Sequence, residues 1–275
     1  MSNKITSQIE ISELAIYPVK SCAQLPVTAA KVDYFGLHMD RRWMVVDEKG
    51  KFLTQRQLAK MCLISVALIE NEVILSAPDS LSCTVKVSNL KQIQQVTVWD
   101  DQCNGLDCGD VAANWLSEFL QQACRLVYFP EEEFRQVDLD FAQQGDRTAF
   151  SDGFPFLLIS EASLQDLNIR ILQSGAQATL EMRRFRPNIV VKGCEAFAED
   201  EWKKIRIGDI ILRVVKPCKR CVIPTIDPDT GIKGDEPLKT LRTYRKKDKK
   251  ILFGQNVIAE STGELRVGMS VEILE

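Results

Sequence analysis

One histidine, His38, is all that the 275 residues contain. A zinc hydrolase, or a hydrolase of the Ser-His or Cys-His kind, could be built only around that single imidazole, which sets those classes aside. Long apolar runs are missing as well. No stretch approaches the ~18 apolar residues that a spanning helix needs, and residues 1–10 lack the apolar centre of a secretory leader, so a cytoplasmic chain off the membrane is expected. Excess charge is also absent: at a formal net charge of -3 there is no electrostatic footprint for nucleic acid. Nine cysteines without a leader, an odd count, read as reduced thiols rather than a disulfide framework. With 45% hydrophobic and 27% charged residues the composition is that of an ordinary globular protein, long enough for one large domain or two smaller ones.

What the chain does contain is short strands at close intervals. Residues 9–19, 39–47, 63–69, 73–77, 84–87, 96–99 and 125–129 read as strands, with 48–51 as a hairpin turn and 52–56 as its return strand. The segment from Asp100 to Asp107 reads as a polar loop. After it Val111, Ala112, Trp115, Leu116, Phe119 and Leu120 recur at helical spacing, which makes 110–122 an amphipathic helix. The acidic residues 130–133 mark a boundary between a first domain, 1–129, and a second, 130–275. In the second, 136–152 reads as a polar surface excursion able to cap a site. A strand at 156–159 follows, then a helix capped by Ser160 and ending near Gly175, strands at 189–191 and 211–215, a short helix at 238–244, and strands at 252–258 and 267–274. The expected fold is mostly β with a few helices (α+β), its first half barrel-like or a sandwich.

The chemistry concentrates in Lys216-Pro217-Cys218-Lys219-Arg220-Cys221, which leaves a strand and enters a loop that Pro224, Pro228 and Asp229-Thr230-Gly231 keep from becoming helical. Cations beside two thiols favour a thiolate able to ligate a soft metal. Cys62, Cys83, Cys124 and Cys194 read instead as small core residues. Cys103 and Cys108 have the spacing of half an iron–sulfur motif, but the third ligand would fall on Val111. Further cations stand at Lys20-Ser21, a strand exit suited to an anion, and at Arg41-Arg42, which point to opposite faces. Whichever arginine faces inward needs an anion, from Asp40, Asp47 or a bound phosphate. Arg183, Arg184 and Arg186 are most economically used in holding an anionic ligand, with a surface salt-bridge cluster as the rival. Four cationic clusters and one activated thiol suit a ligand with a phosphate and a soft metal, and the molybdenum pterin cofactor has both. A thiol oxidoreductase built on Cys218 and Cys221 is the weaker alternative, because Pro224 and Asp227-Pro228 spoil the helix such a pair normally opens.

Two stretches, Tyr17-Pro18-Val19-Lys20-Ser21-Cys22 and Cys218 through Gly231, resemble the signature segments of the MOSC family (molybdenum cofactor sulfurase C-terminal domain). With Asp40-Arg41-Arg42-Trp43, Asp107-Cys108-Gly109, Ser151-Asp152, Phe185-Arg186-Pro187-Asn188 and Leu252-Phe253-Gly254-Gln255 in the same order, the likeness covers nearly the whole chain. It is narrowest to the amidoxime-reducing group and its bacterial relatives. The resemblance implies an N-terminal MOSC β-barrel domain followed by a β-barrel MOSC domain. It implies that Cys221 ligates molybdenum and is the catalytic cysteine, while Lys20, Ser21, Arg41, Arg186, Asn188, Lys219 and Arg220 line a Mo-molybdopterin. Gly153 and Phe154 match positions where relatives carry hydroxyls, and Asn256 one where eukaryotic relatives carry tyrosine, so contact at Gly153 and Phe154 falls to the backbone. The implied reaction is reduction of small N-hydroxylated bases or amidoximes. Ending at Glu275 without a 2Fe–2S domain, the chain is expected to act as a monomer fed by a separate flavin or iron–sulfur donor, docked at the basic run around Lys246. The alternative is a non-catalytic carrier of the cofactor, or of persulfide sulfur, on Cys221. Pyridoxal phosphate, which is attached to the family as a whole, finds no Schiff-base lysine context here.

Overall fold

The computed structural model describes residues 8–70, 72–176 and 178–275. The protein is mostly β, as expected, with three α-helices among the described residues. Its largest sheet has nine strands. Their path runs Val271–Ile273, Lys204–Ile207, Ile210–Lys219, Lys250–Ala259, Phe156–Ser160, Ile189–Lys192, Glu10–Ile16 and Leu25–Val27, with Lys246–Lys247 hairpinned onto Lys250–Ala259. Among the described residues only Phe156–Ser160 and Ile189–Lys192 run parallel in this sheet, joined by the crossover that contains helix Glu161–Gln173. The Ser160 hydroxyl caps that helix by accepting from the Ser163 N–H.

All five residues of Phe156–Ser160 are buried, because both faces of the strand are covered. Phe156 and Leu158 pack with Ile11, Leu14, Ile189, Leu212 and Val257 on one side. Leu157 and Ile159 pack with Leu167, Ile171, Phe185 and Phe253 on the other, under the helix. The first segment of the chain is woven into this layer. Glu10–Ile16 pairs with Ile189–Lys192, and Ala29–Asp33 pairs with Gly263–Arg266, so residues 17–22 leave the sheet beside residues 186–188. A second sheet takes Trp43–Val46, Arg125–Tyr128, Asp101–Asp107 and Ile93–Val98 in that order, and a three-stranded sheet takes Ser65–Ile69, Glu72–Ser76 and Cys83–Lys86.

Three readings of the sequence are corrected. Asp101–Asp107 is a strand, not a loop: Cys103, Gly105 and Asp107 alternate inward, and Arg125 neutralises the Asp107 carboxylate. Residues 52–56 form no return strand. Phe52 makes one isolated bridge to Val46, and then Gln57 Oε1 accepts from the Thr54 N–H and hydroxyl, folding the chain into a turn. Residues 136–152 are no plain surface excursion, since Val137 and Thr148 to Ser151 are buried and Arg135 donates to the Ala149 and Ser151 carbonyls. Cys62, Cys83 and Cys124 are core residues as expected, whereas Cys194 is only half-buried.

Candidate functional site

Every site residue named from the sequence lines one cleft: Lys20, Ser21, Arg41, Gly153, Phe154, Arg186, Asn188, Lys219, Arg220, Cys221 and Asn256, around a cavity of about 160 Å³. Six chain segments bring these residues together, most of them delivered by a strand end or a sharp turn.

The first segment leaves Glu10–Ile16 and turns at Ser21, whose φ of 69° lies in the left-handed region. The turn buries Lys20, whose Nζ donates to the Phe150 carbonyl (2.7 Å) and to Asp152 Oδ1 (2.5 Å). Burial pulls the Lys20 pKa down to about 8, with Asp152 partly opposing. Cys22 beside it is a core thiol that burial pushes up to about 12.

Arg41 (φ 48°) and Arg186 (φ 59°) share the unusual backbone of Ser21. Left-handed non-glycine residues cost roughly 1–2 kcal/mol each, and three of them facing one cleft mark a geometry held by the surroundings. Both guanidinium groups lie over the Tyr17 ring, at 4.3 and 4.2 Å. Arg41 is held by Asp40 (2.5 Å) and Asn188 Oδ1 (2.9 Å). Asn188 is fully committed: its Oδ1 also accepts from the Leu157 N–H and its Nδ2 donates to the Ala15 carbonyl, so it orients Arg41. Arg186 Nη1 donates to the Cys22 carbonyl (2.6 Å). Burial, reinforced by neighbouring Arg41, draws the Arg186 pKa down to about 10.

A further segment is the end of Ile210–Lys219. Arg220 donates through Nη2 to the Phe185 carbonyl (2.6 Å) and through Nη1 to Cys218 Sγ (3.1 Å). Cys218 is thereby engaged at the wall, while half-buried Cys221 lies in the loop beyond. Asn256 Nδ2 donates to the Lys216 carbonyl, and Phe154 packs edge-on against Phe141 with Lys216 over both rings. An added Cβ at Gly153 would meet nothing within 4 Å, so that position is open.

Two residues were not singled out from the sequence. The Thr54–Gln57 turn delivers Arg56, whose Nη2 lies 3.5 Å from Cys221 Sγ and 2.8 Å from Asp152 Oδ2. Trp99 supports it, 4.8 Å from the guanidinium carbon. Asp152 is thus clamped between Lys20 and Arg56. Loss of part of its hydration in the cleft would raise its pKa, but the two cations outweigh that and hold the carboxyl well below the usual range. The available signal was the cation closing Thr54-Gln55-Arg56, a segment read as strand.

The fold narrows two rivalries left by the sequence. Inward-facing Arg42 pairs with neither Asp40 nor Asp47: it donates to the Phe129 carbonyl, the Tyr128 hydroxyl and Glu131 (3.0 Å). Arg183 is bound to Asp229 and Glu181, and Arg184 to Asp227, so two of that trio are salt-bridged and only Arg186 faces the cleft. Three buried guanidinium nitrogens on the cleft residues lack a partner among the described residues: Arg56 Nη1, Arg186 Nη2 and Arg220 Nε. A buried donor left unmade costs about 1–3 kcal/mol, so these atoms suit an anionic, acceptor-rich guest. A neighbouring cavity of about 250 Å³, lined by Gln24, Gln55, Ile226 and the salt-bridged Arg183 and Arg184, shares Arg186 and Ile223 with the cleft. Among the described residues no group of three or more His, Cys, Asp or Glu side chains gathers to hold a metal, so a metal at Cys221 would draw its other ligands from a cofactor.

Fold and cleft together define a β protein with one cleft lined by two cysteines, Cys218 and Cys221, and by the guanidinium groups of Arg41, Arg56, Arg186 and Arg220. The chain matches the MOSC N-terminal beta barrel domain over residues 8–123 and the MOSC domain over residues 145–272. It is 39% identical over 285 residues to mitochondrial amidoxime-reducing component 1 of Homo sapiens, covering 96% of this chain and 82% of that protein. Identity to the same-named protein of Mus musculus is 40% over 284 residues (96% and 82% covered). With mitochondrial amidoxime reducing component 2 of Rattus norvegicus it is 38% over 279 residues (94% and 81%). The chain belongs to the MOSC family, in the group of the mitochondrial amidoxime-reducing components. No helix among the described residues is long and apolar enough to cross a membrane.

Proposed function

We propose that this protein is an oxidoreductase that reduces small N-hydroxylated compounds, using a molybdenum pterin cofactor whose metal is bound by the Cys221 sulfur. The observation that carries this reading is the meeting, in one cleft, of that sulfur with the unpartnered donors of Arg56, Arg186 and Arg220. The names of the relatives support the substrate class.

When bound, the cofactor would supply a metal that accepts the substrate's oxygen while passing two electrons. Cys221 supplies one sulfur ligand. Lys20, Arg41, Arg186 and Arg220 suit its phosphate and the carbonyl edges of its pterin, since arginine forks match such acceptors. Asn188 and Tyr17 orient Arg41. Phe154, braced edge-on by Phe141, gives the cleft an aromatic wall. Electrons come from a separate flavin or iron–sulfur protein.

The test is expression in a host that makes the cofactor, measurement of bound molybdenum, and an assay of N-hydroxylated base reduction with reduced methyl viologen. Wild type should carry metal and turn over, and Cys221→Ser should lose turnover while keeping its unfolding midpoint. Metal without turnover would favour the carrier role, and absence of both would refute the reading.

A further inference from the structure

The hairpin joining Lys246–Lys247 to Lys250–Ala259 is a built element, not a frayed end. Lys246 pairs with Ile251 and Lys247 with Lys250, and the two turn residues, Asp248 and Lys249, have φ of 48° and 64°. Its base is locked by the Leu252 N–H donating to the Arg245 carbonyl (3.0 Å), and Arg245 is anchored to Asp200 (2.6 Å). The tip carries Lys246, Lys247, Lys249 and Lys250 against one acid, Asp248, on a chain whose net charge is -3. All five residues are exposed, and none of the four lysines makes an ion pair among the described residues. Exposed Lys219 and Arg242 beside them are likewise without one. Elsewhere the fold pairs its cations across long sequence distances, as Arg183 and Arg184 show. Here it leaves a positive patch open.

That patch is continuous with the cleft. Lys219 sits opposite Leu252 in the sheet, on the face that also carries Lys250 and Lys247, and Lys219 lines the cleft. The Arg220 N–H donates to the Ile251 carbonyl (2.8 Å), so the hairpin is hydrogen-bonded to the residue before Cys221. We infer that this hairpin is the docking surface for an acidic one-electron carrier protein, seated so that its electrons enter beside Cys221. The inference rests on the reductase reading. Two reduced carriers are each oxidised by one electron, two protons are taken up, the substrate N–O bond breaks, an N–H bond forms and the oxygen leaves as water.

The experiment compares cofactor-loaded wild type, Lys247→Glu/Lys250→Glu, and the control Lys49→Glu/Lys91→Glu, whose exposed lysines flank strands of the second sheet. Each is driven by reduced methyl viologen and by a small acidic [2Fe–2S] ferredoxin at several salt concentrations. The expected result is unchanged viologen turnover in all three and a ferredoxin kcat/KM lowered about 10- to 100-fold at low salt in the hairpin variant alone. Wild-type ferredoxin turnover should fall as salt rises. Equal ferredoxin kcat/KM in hairpin variant and wild type, salt-independent wild-type turnover, or no ferredoxin turnover beside good viologen turnover would each overturn the docking surface. Failure of viologen turnover in wild type would instead remove the reductase reading, and this inference with it.

Discussion

Asp152→Asn tests whether the clamp beside Cys221 is electrostatic, and its cost follows from Lys20. In the native protein Lys20 is only 4% exposed and its ammonium gives two hydrogen bonds, to the Phe150 carbonyl and to Asp152. Removing one partner of a buried pair ordinarily costs about 3–5 kcal/mol, because a charge is left stranded. Lys20 can escape by releasing its proton. With its pKa already brought to about 8, neutralising it at pH 7 costs only about 1.4 kcal/mol. The lost Asp152–Arg56 contact adds about 1 kcal/mol or less, since the Asp152 side chain is half exposed. The variant should therefore be less stable by roughly 2 kcal/mol at pH 7, and by roughly 1 kcal/mol at pH 9, where Lys20 is mostly neutral in the native wild type as well. The sign follows from linkage: between about 8 and the ordinary lysine value the unfolded chain holds a proton that the native one has shed, so the native-state penalty on Lys20 shrinks as pH rises. Urea unfolding of cofactor-free protein at pH 6, 7, 8 and 9 measures it. A difference constant across that range, or one above 4 kcal/mol at pH 7, would refute the reasoning.

Ser21→Gly should raise stability by about 0.5 kcal/mol in a urea melt, since glycine relieves the left-handed strain but loses more chain entropy, while molybdenum retention on purification falls. Phe253→Ala, at a fully buried ring 4.4 Å from Phe185, should cost about 3–5 kcal/mol in the same assay and reduce molybdenum content by loosening the Phe185-Arg186 turn. Titration calorimetry of pyrophosphate into cofactor-free protein should show affinity falling as pH rises through about 8, where Lys20 gives up its charge, and Lys20→Met should flatten that dependence.

The mostly β class was legible because alternation along single strands is a local property: Cys83–Lys86 and Glu72–Ser76 bury every second side chain. Asp101–Asp107 escaped because its inward positions are a cysteine, a glycine and an aspartate, and only the first is an apolar side chain until Arg125, 18 residues on, is seen to neutralise the last. Arg56 escaped for a related reason. Its neighbours suggested a strand, and its meaning depends on Asp152 and Cys221, 96 and 165 residues away.

The same principle sorts the arginines. Each cationic cluster was visible in the sequence, but how much of a guanidinium is left for a ligand depends on the carboxylates the fold brings to it, and several of those arrive from far along the chain. Glu131 reaches Arg42 across 89 residues, Asp229 reaches Arg183 across 46, and Asp227 reaches Arg184 across 43. Arg186, two positions further, differs in backbone. Its left-handed φ turns the side chain away from its neighbours' acids and over Tyr17, where Cys22 offers one carbonyl and Nη2 is left unpartnered among the described residues. The three neighbouring charges thus divide into two that tie down the 227–229 loop and one that keeps an unpartnered nitrogen among the described residues. Replacing Arg186 with lysine would keep the charge but lose the fork that reaches both the Cys22 carbonyl and a guest.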